Sequence, residues 1–128
     1  MAPPYTVELE PEVRAWLELL PGRLFRRFET YAELLAELGP DTPSPYVRKL
    51  GDGVAELRPT LDGVATRITF WITDDRRIVL LTVFRKTRTH EQAQISRAVR
   101  AKQECEAGHE GHAQAEQGTF TREGDGGL

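Results

Sequence analysis

The sequence lacks the features on which several common functions depend. Among its 128 residues there is one cysteine, Cys105, so an internal disulfide is impossible. It has no secretory signal and no apolar run of transmembrane length, so a cytoplasmic protein without a membrane partner is expected. A glycine-rich nucleotide-binding loop and a metal-ligand cluster are also missing, so no cofactor is expected. Any chemistry must therefore come from ordinary charged side chains in one domain.

Charge is distributed unevenly along the chain. The overall net charge is −3, but residues 40–103 carry twelve bases and seven acids, a net +5. Residues 1–39 carry −3 and residues 104–128 carry −5. A basic middle between acidic ends can present a polyanion-binding face that the whole-chain charge conceals.

The first forty residues predict a strand followed by a helical hairpin. Alternating apolar residues predict a strand over Tyr5–Leu9. Apolar residues at helical spacing predict helices over Pro11–Leu20 and Arg23–Leu38, separated by Pro21-Gly22. Both helices carry an apolar stripe, which includes Trp16 and Phe28 and requires a sheet to cover it.

Three strands and a helix are predicted to follow. The strands are Val54–Arg58, Ala65–Thr73 and Ile78–Phe84, and connections this short favour an antiparallel meander. Capping-box spacing of Thr89 and Gln92 predicts a helix that continues to about Glu104. The fold class is therefore α+β, with one domain over residues 1–104.

Residues 105–128 are predicted to form a disordered, acidic, glycine-rich tail, because they contain too few large apolar side chains to form a core. Two histidines in this tail, His109 and His112, give only a weak indication of a metal pair.

The polar face of the meander is the candidate functional site. Glu56 and Arg58 share a face of the first strand, and Arg67 belongs to the second. Further cations, Arg85, Lys86 and Arg88, follow the third strand. Arginine forks match phosphate oxygens, and fixed cations stabilise the charge that develops during phosphoryl transfer. RNA supplies its own nucleophile, the 2′-hydroxyl, so such a site needs neither a nucleophilic side chain nor a metal.

This layout resembles the RelE/HigB toxin superfamily of bacterial toxin–antitoxin systems, and most of all its HigB-like, phage-derived branch. The resemblance covers about Tyr5 to Gln103. It rests on the run KLGDGVAELRP, on GVATRITFWITDDRRIVLLTVFRKTRTH and on ISRAVR. It implies ribosome-dependent, metal-independent cleavage of mRNA. It also implies neutralisation by a helix-turn-helix antitoxin, through which any contact with DNA is indirect.

The resemblance also implies roles for individual residues. Arg67 corresponds to an arginine placed on the scissile phosphate, Lys86 with Arg85 to the basic position after the third strand, and Arg58 to a common strand arginine. Lys49 and Arg88 become candidate RNA contacts. The catalytic tyrosine of RelE has no counterpart, which leaves His90 and Glu56 as candidates for proton transfer.

Simpler interpretations remain open for these residues. Glu56 and Arg58 could form only a surface ion pair, worth under about 1 kcal/mol. Arg67 could form a cation–π contact with Trp71. The cations after the third strand could be a solvated strand end or contact an acidic antitoxin segment. Lys49 could be a loop cation, and His90 only the first residue of a helix.

Two other classes of function are also compatible with this fold. One is a ParE-like toxin that binds a topoisomerase without RNA chemistry. The other is a nuclease-dead module that binds RNA or an antitoxin. The clustering of Arg58, Arg67 and Lys86 favours the nuclease over the ParE-like toxin, whereas the missing tyrosine keeps the nuclease-dead module open.

Overall fold

A computed structural model describes residues 4–108, which form one mixed sheet with helices on both faces and confirm the α+β class. The strands are β1 Thr6–Leu9, β2 Val47–Gly51, β3 Val54–Leu57, β4 Thr60–Leu61, β5 Val64–Ile72 and β6 Arg77–Arg85. The helices are α1 Pro11–Leu19, α2 Gly22–Leu38 and α3 Glu91–Ala107, with a 3₁₀ turn at Gly39–Asp41. None of the helices in this described part is long and apolar enough to cross a membrane.

The strand order is β1-β6-β5-β3-β2, with the short β4 paired to β5. The predicted antiparallel meander is present as β3, β5 and β6. Strand β1 pairs with β6 in parallel, however, so the whole sheet is mixed. Parallel pairing requires a long crossover between the two strands, and the chain from α1 onward provides it.

The sequence does not predict strand β2, because the pattern of apolar residues assigns Arg48–Leu50 to a connection. The structure pairs Arg48 with Glu56 across an antiparallel hairpin whose turn contains Asp52 and Gly53, both at positive φ. Such a turn matches the twist of paired strands. At the sheet edge β2 needs few apolar residues, which explains why its charged sequence gives a weak strand signal.

The helical hairpin α1–α2 covers one face of the sheet, here called the hairpin face. Its core includes Leu17, Phe28 and Leu35 from the helices and Ile68 and Leu80 from the strands, all buried. The ring of Trp16 meets that of Phe28 edge-on at 5.9 Å between centroids. Trp16 and Phe28 thus belong to the core, as their helical spacing predicts.

A glycine closes α2 against the first strand. Gly39 has a φ of 51°, and a Cβ built on it would lie 2.4 Å from the ring of Tyr5. Only glycine combines this conformation with so close an approach. The close approach of Gly39 to Tyr5 therefore fixes where the end of α2 packs.

Helix α3 covers the opposite face, here called the α3 face. Val54, Val79 and Leu81 from the strands pack there with Cys105, and Val99 and Ala101 lie against them. Because Cys105 is buried and α3 continues to Ala107, the folded domain extends beyond the predicted limit at residue 104. The rest of the predicted tail, with His109 and His112, lies outside the described residues.

The start of α3 differs from the predicted capping box. The N-cap residue is His90, which adopts a left-handed conformation with a φ of 69°, and no side-chain hydrogen bond caps the helix. The expected cap by Thr89 was therefore wrong.

A bulge in β6 determines which side chains reach the α3 face. Thr82 lies opposite Thr69, but Leu80 lies opposite Phe70, so Leu81 is an extra residue on β6. Such an insertion shifts the alternation of the strand by one residue. Ile78 and Leu80 thus face the hairpin, as does Val83 beyond the bulge, while Phe84 and Lys86 come to the α3 face.

Candidate active site

The site is built around a buried carboxylate and a buried guanidinium on neighbouring strands. Glu56 of β3 is 4% exposed and Arg67 of β5 is 7% exposed. Arg67 Nε lies 3.6 Å from Glu56 Oε2, and Arg67 Nη1 donates a hydrogen bond of 3.0 Å to the carbonyl of Thr66. Both side chains are therefore held by the sheet, because their strands are fixed by the cores on its two faces.

Two further arginines surround the same carboxylate. Arg48 Nη1 lies 3.8 Å from Glu56 Oε2, and Arg58 Nε lies 3.9 Å from it. Together with Arg67 they place three guanidinium groups around one carboxylate, which leaves a local excess of positive charge. Glu56 and Arg58 are thus not the simple surface pair that their spacing allows.

Burial makes the charged forms of the central pair less favourable. It raises the pKa of Glu56, and the cations of Arg67, Arg48 and Arg58 oppose that rise. Burial likewise lowers the pKa of Arg67, with a further lowering from the nearby charge of Arg58. A carboxyl group whose pKa is raised in this way is better suited to accept a proton near neutral pH.

A small cleft opens between this cluster and the start of α3, and we call it the cationic cleft. Its lining includes Arg48, Glu56, Arg67, Lys86 and Glu91. Its volume of about 20 Å³ admits a water-sized group but not a nucleotide. A larger anionic ligand would have to lie across its mouth.

Glu91, in the first turn of α3, contributes a second carboxylate to the cleft. Arg48 Nη2 donates a hydrogen bond of 2.5 Å to Glu91 Oε2. That hydrogen bond lowers the pKa of Glu91, and the charges of Lys86 and Arg58 add to the lowering. Arg48 therefore joins β2, the buried Glu56 and α3.

The structure brings together four of the predicted site residues and separates the others. Arg67, Glu56, Arg58 and Lys86 form or border the cluster. Four are exposed and do not line the cationic cleft: Lys49, Arg85, Arg88 and His90.

Lys49 lies on the other side of the sheet from the cleft. It pairs with Ala55 and borders an apolar groove whose lining includes Phe70 and Ile72. Strand alternation explains this placement, because Arg48 next to it points to the α3 face.

Arg48 and Glu91 are site residues that the sequence patterns did not reveal. A usable signal was present for Arg48. If the glycines at 51 and 53 flank a hairpin turn, Arg48 falls opposite Glu56, as it does in the structure. Glu91 carries no comparable signal, because its contact with Arg48 spans 43 residues.

The proposed contact between Arg67 and Trp71 is not formed. Lys102 of α3 lies over the Trp71 ring instead, with Nζ 4.9 Å from its centroid. Across residues 4–108, no group of three or more histidine, cysteine, aspartate or glutamate side chains is arranged to hold a metal ion.

Comparison with known proteins places the chain in a family. A family model described as "Phage derived protein Gp49-like" matches residues 15–105. No curated protein sequence matches the chain.

Two solved structures share the fold. The archaeal RelE–RelB complex from Pyrococcus horikoshii OT3 is similar with a TM-score of 0.51 and 23% identity, covering 67% of this chain and 99% of that one. A mutant of the E. coli toxin RelE in the free state gives a TM-score of 0.53 and 14% identity, covering 78% of this chain and 97% of that one. These findings confirm the resemblance found in the sequence: the chain belongs to the phage-derived Gp49-like family and has the fold of the RelE toxins.

Proposed function

We propose that the protein is the toxin of a type II toxin–antitoxin system and that it cleaves mRNA on the ribosome. The observation that carries this proposal is the cationic cleft, in which Arg67, Arg48 and Lys86 converge near the buried Glu56. Membership of the Gp49-like family and the RelE-like fold support it. The site of action is the cytoplasm.

The proposed reaction uses the RNA as its own nucleophile. The 2′-oxygen attacks the neighbouring phosphorus, the bond from phosphorus to the 5′-oxygen breaks, and the products are a 2′,3′-cyclic phosphate and a 5′-hydroxyl. The 2′-hydroxyl loses a proton to a base, and the leaving oxygen gains one. No metal ion is needed for these steps.

Arg67 and Lys86 would hold the scissile phosphate and stabilise its transition-state charge, with support from Arg58. Fixed cations of this kind act where negative charge increases during the reaction. Arg67 suits the role because its hydrogen bond to Thr66 and its pairing with Glu56 restrict its side chain.

Glu56 is the better candidate for the proton acceptor. It borders the cleft, and burial raises its pKa. His90 is exposed at the N-cap of α3 and does not line the cleft, which makes it the weaker candidate. Lys49, Arg85 and Arg88 would contribute only peripheral contacts with RNA.

The test is cleavage of a translated mRNA in a reconstituted translation system by Arg67→Ala and Lys86→Ala proteins. Each substitution should lower the rate by about 10²–10³-fold, the usual effect of removing one transition-state donor. Arg26→Ala, which removes an exposed cation of α2, is the matched control and should cleave like the wild type.

Folding must be checked for Arg67→Ala, because it leaves Glu56 without its nearest cation; circular dichroism and thermal unfolding provide that check. Wild-type rates in both folded variants would reject the site. Product ends other than a cyclic phosphate and a 5′-hydroxyl would reject the mechanism. Topoisomerase inhibition without any RNA cleavage would favour a ParE-like function.

A helix-turn-helix antitoxin is the partner we propose, and it would provide the only link to DNA. A protein that cleaves mRNA must be neutralised in its own host, and a net +5 in residues 40–103 favours association with acidic antitoxin residues. Co-expression with the neighbouring reading frame should give a complex whose association weakens with salt. If the protein expresses alone without slowing growth, and no partner co-purifies, the toxin proposal fails.

A further inference from the structure

The contact between Glu91 and Arg48 identifies a second anion position in the cleft. The Glu91 carboxylate accepts the 2.5 Å hydrogen bond from Arg48 Nη2 and lies in a cleft that Lys86 also lines. Lys86 and Arg58 contribute favourable charge interactions at the same carboxylate. Cations from three separate segments therefore favour a negative charge at the position of the Glu91 carboxylate.

Glu91 does not cap α3 through a side-chain hydrogen bond. The N-cap residue is His90, and no side-chain hydrogen bond caps the helix. The Glu91 side chain is 51% exposed and that of Arg48 is 40% exposed, so the carboxylate can turn toward solvent without rebuilding a core. An exposed ion pair of this kind is weak enough to be exchanged for another anion.

A phosphate group satisfies the same cations as a carboxylate. A guanidinium fork donates to two oxygens of either group, and phosphate carries its charge on a comparable set of acceptors. The two carboxylates Glu56 and Glu91 both contact Arg48, so the positions they mark are adjacent.

We propose that Arg48, together with Lys86, which it shares with the scissile phosphate, forms a subsite for the neighbouring backbone phosphate of RNA, and that Glu91 occupies this subsite in the free protein. This inference rests on the proposed function, because it assigns a neighbouring phosphate of the same substrate. RNA binding exchanges the Glu91 carboxylate for phosphate. Because Glu91 competes with that phosphate for Arg48, it lowers the affinity for RNA that delivers a phosphate to this position.

The experiment measures binding of a fluorescein-labelled, single-stranded RNA whose riboses all carry 2′-O-methyl groups, so that cleavage is blocked. Fluorescence anisotropy gives the Kd for the full-length wild type and for Glu91→Gln, Arg48→Ala and the double variant. Glu106→Gln is the matched control, because it removes one acid that pairs with a cation, Lys102, on the same helix.

Glu91→Gln should tighten binding by roughly three- to tenfold relative to Glu106→Gln, because it releases charged hydrogen-bond donors for phosphate. Arg48→Ala should weaken binding by a similar factor. In the Arg48→Ala background, Glu91→Gln should lose most of its effect. Arg48→Lys keeps the charge but not the fork, so it should recover only part of the affinity. Thermal unfolding verifies that each variant is folded.

If Glu91→Gln and Glu106→Gln change the Kd equally, only the net charge of the protein affects binding. That result would overturn the subsite. Wild-type affinity in folded Arg48→Ala and Arg48→Lys would also overturn it. Cleavage of translated mRNA by the wild type, measured separately, shows whether the proposed function stands when the subsite fails. If neither the wild type nor Glu91→Gln binds the RNA and the wild type does not cleave, both proposals fail.

Discussion

The two faces of the sheet differ in what their side chains do. The hairpin face is covered by two helices and is apolar from Leu9 in β1 to Leu57 in β3. The α3 face is covered by one helix over only part of its area. Apolar residues such as Val79 and Leu81 fill that part, and the Glu56–Arg67 cluster occupies the remainder.

One set of strands contributes both to the apolar core and to the candidate site. Ile68 and Arg67 are consecutive residues of β5, both buried, yet one belongs to the apolar core and the other to the candidate site. Because the chain alternates between faces, packing on the hairpin face fixes the strand that presents the charged group. Substitutions on the two faces should therefore affect different measurements.

The largest effect on stability is expected at the hairpin face. Phe28→Ala removes a completely buried ring that packs against Trp16 and Phe25, and should lower the free energy of unfolding by about 3–5 kcal/mol. The cleavage rate per folded molecule should stay at the wild-type value, because the cationic cleft lies on the other face. Urea denaturation and a cleavage assay at low temperature measure the two quantities.

Leu19→Ala provides the control for that substitution. Leu19 is 85% exposed, so its truncation should change stability by less than about 0.5 kcal/mol. If Phe28→Ala abolishes cleavage while the protein remains folded, the two faces are coupled. The expectation that they affect different measurements would then be wrong.

The same difference explains how much of the molecule could be predicted from its sequence. Helical spacing through Trp16 and Phe28 predicts an apolar stripe that a sheet must cover, and the core of the hairpin face confirms it. The charge of Arg67 and Lys86 and the resemblance to toxins predict these two residues as candidates for the site. Their relation to one another depends on the bulge at Leu81, which has no marker in the sequence. Strict alternation from Ile78 would put Lys86 on the hairpin face.

Sequence patterns also cannot predict contacts between segments that are distant along the chain. The pair Arg48–Glu91 joins an edge strand to a helix start, and neither element requires that pair in order to form. The charge at either position is compatible with a solvated surface residue, so nothing local distinguishes it.

A buried polar contact on β5 and β6 should have an intermediate effect on stability. Thr69 Oγ1 lies 2.6 Å from Thr82 Oγ1 and accepts a hydrogen bond of 3.1 Å from the Thr82 backbone N–H. Thr69→Val leaves these partners unsatisfied beside the bulge and should cost about 1–3 kcal/mol. Thermal and urea unfolding of Thr69→Val, Thr82→Val and the double variant measure the coupling.

The double variant should be less destabilised than the sum of the single variants, because it removes both hydroxyl groups together. Additive effects would mean that the two hydroxyls do not depend on each other. The bulge would then be held by the backbone alone.

The buried carboxylate on the α3 face should give a pH-dependent effect. Because burial raises the pKa of Glu56 in the folded protein, the folded state holds its proton more tightly than the unfolded state does. Glu56 thus contributes stability that is complete below its unfolded pKa and is lost as pH rises through its folded pKa. The loss amounts to about 1.4 kcal/mol for each pKa unit of the rise.

Urea denaturation of the wild type and of Glu56→Gln across a pH series tests this expectation. The stability of the wild type relative to Glu56→Gln should decrease as the pH rises from acid toward neutral. Glu37→Gln, on the exposed side of α2, should show no such trend. A relative stability that increases with pH would mean that the three arginines outweigh burial, and would remove the main reason for choosing Glu56 as the proton acceptor.

The smallest effect is expected at Lys49. Substituting it tests whether two adjacent residues on opposite faces of the sheet differ in their effect on RNA binding. Lys49 and Arg48 are adjacent cations of β2, but Arg48 contacts Glu56 and Glu91 whereas Lys49 borders the groove beside Phe70. Lys49→Ala should change the Kd for the 2′-O-methyl RNA by no more than about twofold, the effect of one distant charge that salt screens. Arg48→Ala, in the same assay, should cause the larger loss. A loss at Lys49 as large as that at Arg48 would mean that RNA passes around the β2 edge and contacts both faces of the sheet.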